Sequence, residues 1–315
     1  MVQPPSAPVS RARGLRGDYS RAAADYTVAQ DWERYTRDDH AVWGALYRRQ
    51  LELVSHYAAP EFLAGTRTLG APAAQIPRFE AVNAVLASAT GWRIVAVPGL
   101  IPDETFFDHL AQRRFPVTVW IRRREELDYL VEPDVFHDFF GHVPLLTDPV
   151  FARFMQAYGQ AGPKALATPG GLRMLSRLYW YMVEFGLIHT AAGLRVYGAG
   201  ILSSKGETVY SIESPQPQRL RFELTRVMRT DYRIDAFQRT YFVLDSFEQL
   251  FLACYGTDFA PLYLRYGAEQ PLAPDARLPG DAPVAPEAPL SSDARVSSEV
   301  PLSSDAPLSR GEAKK

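Results

Sequence analysis

The chain has 315 residues, 47% of them hydrophobic and 12% aromatic, which is enough to bury one large core or two modest ones. Its 34 Lys and Arg against 36 Asp and Glu leave a formal net charge of -2, so there is no electrostatic case for binding nucleic acid or an anionic membrane. One cysteine, Cys254, excludes an intramolecular disulfide and any thiolate cluster for zinc or iron–sulfur, and a bound metal would have to be held by His and carboxylates.

The opening residues, MVQPPSAPVSRARGLRGDYS, have no apolar h-region, and nowhere do about 18 apolar residues run without a charge. A cytoplasmic protein is expected. Residues 1–25 are rich in Pro, Ala, Ser and Arg without periodicity and are expected to be a disordered arm. Asp38 or Asp39 can then cap a helix through HAVWGALYRRQLELVSHYA, in which Val42, Leu46, Leu51 and Val54 recur at helical spacing and Arg48 and Arg49 point outward. Further helical patterns run through PRFEAVNAVLASAT, DETFFDHLAQRRF, DPVFARFMQAYGQA and GGLRMLSRLYWYMVEFGL. Short β-rich runs lie at 92–97, 117–121, 194–198 and 240–245, bounded by Gly, Pro or Asp.

The fold class expected is mainly α with small β-sheets, in one domain over residues 26–267. From 268 to 315 the chain has no aromatic residue and many prolines, and APLSSDA (288–294) returns as VPLSSDA (300–306). That stretch is expected to be a disordered tail, its repeat being either a docking motif or low-complexity drift.

Chemistry concentrates in EPDVFHDFFGHVP, which places His137 and His142, two of only six histidines, five residues apart. A regular helix would separate them by roughly 140° around its axis, so both reach one ion only if the helix ends or distorts, which Gly141 permits. Two His with one carboxylate on one face of an octahedron is the arrangement of non-haem iron oxygenases. Glu184, inside the apolar and aromatic run LYWYMVEFGL, is the candidate third ligand, because an unpaired carboxylate there would cost several kcal/mol to bury. The alternative is a hydrogen-bonded His cluster, with Glu184 paired to an Arg. A protease-type zinc site is disfavoured, since H-E-x-x-H spaces its histidines by four with a glutamate between them.

In order along the chain, YT…HAVWGALYRRQ, PGLIPDETFFDHLAQRRFPVTVWIR, EPDVFHDFFGHVPLL, LYWYMVEFGL, RVYGAGILSSKGE and YFVLDSFEQL resemble the pterin-dependent aromatic amino acid hydroxylases, over about Tyr26 to Gly267. The resemblance implies a largely helical catalytic domain that binds iron(II) and uses tetrahydrobiopterin and dioxygen. It implies His137, His142 and Glu184 as iron ligands, with Ser203 supporting a ligand histidine. Arg122 matches the arginine that clamps the substrate carboxylate, a task suited to a bidentate guanidinium, and Asp134 lies in the same pocket. Arg123 and Arg124 read instead as a solvated charge run. Tyr179 and Trp180 match aromatics near iron and substrate, with Phe185 as a further wall against water. Phe106 matches the aromatic that stacks on the pterin, with Leu100 and Asp138 as further pterin contacts. Asp138 is shorter than the glutamate many relatives carry there.

Within that family the wording is most similar to bacterial enzymes acting on L-phenylalanine, which implies L-tyrosine as product and pterin-recycling enzymes as indirect partners. Tyrosine or tryptophan hydroxylation is the alternative inside the family. Outside it stand a zinc or iron hydrolase and a non-enzymatic binding module. A monomer is expected, because the family's C-terminal tetramerisation helix and preceding regulatory domain are not recognisable here.

Overall fold

Thr36 starts the first long helix, α1 (Arg37–Tyr57): its hydroxyl accepts from the Asp39 N–H, and the Asp39 carboxylate accepts from the Thr36 N–H. This capping box corrects the expectation of Asp38 or Asp39 as the cap. Val42, Trp43, Leu46, Tyr47, Val54 and Tyr57 form the buried stripe of α1, at the expected helical spacing. The computed structural model describes residues 15–128, 130 and 132–288. The tail repeat of 288–306 lies almost entirely outside them.

Helices α2 (Pro60–Leu69) and α3 (Phe79–Ala89) lead into two parallel strands, β1 (Arg93–Val97) and β2 (Arg114–Thr118), connected through α4 (Asp103–Ala111). Strand β2 begins earlier than the run at 117–121 suggested. Its register against β1, from Arg93 opposite Arg114 to Val97 opposite Thr118, sets its ends, and the β propensity of the residues beyond does not.

Helix α5 (Pro149–Ala167) follows, with the Asp148 carboxylate accepting from the N–H groups of Val150 and Phe151, and then α6 (Gly171–Tyr179). Strands β3 (Leu187–Thr190) and β4 (Gly193–Val196) form a hairpin. Helices α7 (Ala199–Leu202) and α8 (Lys205–Glu213), strand β5 (Gln218–Arg221), helix α9 (Leu224–Arg229) and strand β6 (Thr240–Leu244) come next, and α10 (Phe247–Cys254) and α11 (Ala260–Tyr266) close the series. The second sheet runs β4-β3-β6-β5, antiparallel only at β3/β4. Mainly α with small sheets is therefore the fold class. Among the described residues no helix is long and apolar enough to cross a membrane.

Both expected disordered ends are corrected where they are described. Within 15–25, the Tyr19 hydroxyl donates to the Leu100 carbonyl at 2.9 Å, and the Asp25 carbonyl lies 2.9 Å from His109 Nε2. Within 268–288, the Val284 N–H donates to Arg219 O and the Arg221 N–H to Ala282 O, covering the free edge of β5. Asp281 pairs with Arg226 at 2.9 Å, with side chains only 10% and 6% exposed. The attachment is polar and made largely through backbone groups, so the lack of aromatic anchors gave no sign of it.

Candidate metal centre and substrate cavity

Two helical segments that carry the candidate ligands are π turns, His137–His142 and Trp180–Glu184, the second continuing α6. In a π turn the hydrogen bonds run from i to i+5, as between Trp180 O and the Phe185 N–H at 2.9 Å. The wider turn brings residues five apart onto one face, so the two imidazoles converge without a break. Gly141 therefore has a different task from the one expected. A Cβ there would sit 2.9 Å from the Cβ and carbonyl oxygen of Ala199, so glycine lets α7 pack against the turn. The other face of the turn is anchored in the core: Phe136 stacks on Phe140 at 5.0 Å, and Trp43 meets Phe136 and Phe139 edge-on.

Three ligand atoms, one each from His137, His142 and Glu184, lie within 4.8 Å of one another. The Glu184 carboxylate sits between the imidazoles, with Oε1 3.3 Å from His142 Nε2 and Oε2 3.6 Å from His137 Nε2. Ser203 settles the tautomer of His137. Its hydroxyl donates to the Ala199 carbonyl at 2.9 Å, so it accepts from Nδ1–H of His137 at 2.9 Å, leaving Nε2 as a bare lone pair aimed at Glu184. Burial pushes the His137 imidazole down to about 3 and so keeps it neutral, the form that binds metal. Burial by itself would raise the Glu184 carboxyl, but His142 beside it holds it well below the usual carboxylate range. Two imidazole nitrogens and one carboxylate oxygen on one side suit a divalent iron with open positions opposite.

A cavity of about 170 Å³ opens beside this cluster, lined by Arg122, His137, Trp180, Glu184, Phe185 and Ile234 among others. Ser203 lines it too. Asp134 does not: it is fully buried behind Arg122, meeting Nε and Nη2 at 2.8 Å each while also accepting from the N–H groups of Arg122 and His137. The Arg122 bonds hold the Asp134 carboxyl below its ordinary value against the opposing effect of burial. Arg123 and Arg124 are exposed, as expected.

The residues matched to the pterin lie outside that cavity. Phe106 is half-buried with its ring edge-on to Tyr179 at 5.5 Å, and the Tyr179 ring is 6.3 Å from that of His142. Asp138 is buried and accepts from the Thr118 N–H at 2.8 Å, and burial pushes its carboxyl up to about 6. Leu100 is half-buried, with its carbonyl taken by Tyr19. Neither Tyr179 nor these three residues line the cavity. Ile234 and the neighbouring Gln238 were not singled out from the sequence, because the loop DYRIDAFQ carries no periodicity and no recognisable site pattern.

The chain matches the family model for biopterin-dependent aromatic amino acid hydroxylases over residues 5–255. It is 57% identical over 261 residues to a phenylalanine-4-hydroxylase of Chromobacterium violaceum, covering 81% of this chain and 87% of that relative. A crystal structure of phenylalanine hydroxylase from the same organism, with bound iron(III) and oxidised cofactor 7,8-dihydrobiopterin, superposes with a TM-score of 0.81 at 56% identity, covering 84% of this chain and 94% of that one. Another, with iron and phenylalanine bound, gives a TM-score of 0.80 at 54% identity over 84% and 96% of the two chains. Matched along most of its length by the family model and by close relatives, the chain belongs to the biopterin-dependent aromatic amino acid hydroxylases.

Proposed function

We propose that this chain is a phenylalanine 4-monooxygenase: it hydroxylates L-phenylalanine to L-tyrosine with dioxygen, using iron(II) held by His137, His142 and Glu184 and tetrahydrobiopterin as the reduced cofactor. The observation that carries this reading is the convergence of two imidazoles and a carboxylate within 4.8 Å, beside a cavity that offers a buried guanidinium at one side and aromatic walls at another. Support also comes from the iron, dihydrobiopterin and phenylalanine named for the similar structures. When bound, the metal and the reduced pterin together supply the activation of dioxygen that ring hydroxylation requires.

The protein's part is positioning and exclusion of water. Arg122 is edge-on to Asp134, and Nη1 makes only a long 3.4 Å bond to the Leu127 carbonyl, so the end of its fork formed by Nη1 and Nη2 is the part that can receive an amino-acid carboxylate in two charge-assisted bonds. Asp134 fixes that fork and does not itself touch substrate. Trp180 and Phe185, rings 4.7 Å apart, give the aromatic ring a flat apolar wall close to the metal ligands. Ser203 keeps His137 in the binding tautomer. Phe106 supplies the face for the pterin, with Leu100 and Asp138 beside it, and Tyr179 packs between that face and His142.

In this reading the chain acts as a cytoplasmic monomer, and its oxidised pterin returns to the reduced form through other enzymes. The test is turnover with iron(II), tetrahydropterin and each aromatic amino acid in parallel. Tyrosine formed from phenylalanine, with stoichiometric oxygen uptake, is the expected result. Hydrolytic activity without pterin oxidation would replace the reading with that of a metal-dependent hydrolase.

A further inference from the structure

The cavity wall is held in place by one buried amide. Trp180 Nε1 donates to Gln238 Oε1 at 3.0 Å, both side chains being buried. An indole nitrogen is only ever a donor, so the oxygen of the Gln238 amide must face Trp180 and its nitrogen must face the other way. That nitrogen donates to the carbonyls of Arg233 at 3.0 Å and Ala236 at 3.3 Å, which flank Ile234 in the chain. Trp180 and Ile234 are both walls of the cavity. A single side chain therefore ties the aromatic wall on the π turn to the aliphatic wall on the loop between α9 and β6.

Gln238 is itself fixed from behind. Glu207, buried in α8, accepts at the same oxygen from the Gln238 backbone N–H at 3.0 Å and from the Tyr241 hydroxyl at 2.8 Å. The indole is also packed on its face, with Tyr232 stacked at 4.3 Å and 14°. Burial of this kind leaves no water to replace a lost partner, so removing the amide strands the indole donor and two loop carbonyls together.

We propose that Gln238, braced by Glu207, is a positioning residue that sets the width of the substrate cavity by locking Trp180 and Ile234 to each other, and so determines which aromatic side chains fit. The inference rests on the reading of the cavity as the amino-acid site. Gln238 touches neither the metal ligands nor Arg122 in any hydrogen bond given by the structure, so its effect falls on the ring-binding part of the site alone.

The test uses the full chain loaded with iron, comparing wild type with Gln238→Met, which keeps length and removes both amide functions. L-phenylalanine affinity is read by calorimetry, alongside the KM for phenylalanine, the KM for tetrahydropterin, and tyrosine formed per pterin oxidised. The expected outcome is a phenylalanine Kd and KM raised at least fivefold, an unchanged pterin KM and normal iron content. Coupling should fall, and the preference in kcat/KM for phenylalanine over tryptophan should narrow. A role confined to stability would lower the melting temperature without separating the two KM values. Gln238→Asn keeps the amide but shortens its reach by one methylene, so it can no longer meet both Trp180 and the loop carbonyls; it should give a smaller shift in the same direction, and it stands in if Gln238→Met does not fold. A wild type that binds and hydroxylates phenylalanine while the folded variants bind it within twofold overturns this inference alone. A wild type that neither binds nor hydroxylates it overturns the underlying reading of the site.

Discussion

The guanidinium of Arg122 and the carboxylate of Asp134 lie edge to edge, with Nε to Oδ2 and Nη2 to Oδ1 both at 2.8 Å. The pair is buried, and the same carboxylate also accepts from two backbone N–H groups. The orientation of the arginine is thus fixed before any substrate arrives, and a rigid fork loses less freedom on binding a second carboxylate.

Lysine cannot make the two parallel bonds to Asp134 and still present donors to the cavity. Arg122→Lys is expected to raise the phenylalanine KM at least several-fold while iron content stays normal, as read by steady-state kinetics and elemental analysis. The same change at Arg123 or Arg124 should be close to silent, because exposed pairs such as that of Arg124 with Asp38 contribute at most about 1 kcal/mol. Three indistinguishable Lys variants would remove the carboxylate role from Arg122.

Ser203→Ala removes the acceptor that fixes Nδ1–H of His137. Loss of such a partner typically weakens metal binding about 10- to 100-fold, so iron should be stripped by a chelator at a correspondingly lower concentration from a protein that still unfolds cooperatively. Iron retention equal to wild type would show that the packing of the π turn alone orients the ring.

The docked segment 268–288 gives a prediction about length. Ending the chain after residue 288 should leave the melting temperature close to that of the full chain, whereas ending it after 267 should lower it by many degrees, because the edge of β5 loses its partner and the Arg226 guanidinium loses Asp281 and the Ala276 carbonyl. Asp281→Ala isolates the second effect. Leaving one member of a buried pair alone costs about 3 kcal/mol or more, and a urea midpoint unchanged from wild type would contradict it.

Glu207 makes stability depend on pH in a definite direction. Burial pushes its carboxyl up from 4.5 to about 7, so the folded state holds the proton more tightly than the unfolded chain. Its contribution is fully present below pH 4.5 and is lost as pH rises through about 7. Glu207→Gln cannot titrate, so its stability relative to wild type should improve by up to about 3 kcal/mol between pH 4.5 and 8. Equal differences between the two proteins at both pH values, in urea unfolding, would mean that Glu207 is not shifted.

Much of this was legible in the chain itself, for reasons that differ from residue to residue. The stripe of α1 and the strand at 240–244 follow from apolar periodicity and β-rich composition, and the scarcity of histidines and one carboxylate in an apolar helix pointed to the three candidate ligands that the structure brings together. Strands β3 and β5 were not legible, since LIHT and QRLR are too short to show alternation. Nor was the docking of 268–288, where backbone groups and one ion pair do the holding. Gln238 was illegible for a related reason: its importance comes from what Trp180, far away in the chain, and the carbonyls of its own loop need, and the loop carries no pattern that marks it.

The two π turns carry all three candidate ligands, and each can be regarded as an α-helix holding one residue too many. Deleting one residue from either turn would let the helix relax to ordinary i to i+4 bonding, swinging everything beyond it by about 100°. For Trp180–Glu184 the backbone would gain regularity and the chain would keep its apolar pattern on one side, yet Glu184 would leave the imidazoles. Local helix regularity and metal binding therefore pull in opposite directions at these two places. A one-residue deletion within either π turn would therefore abolish the centre by geometry alone, even with all three ligand residues still in the chain.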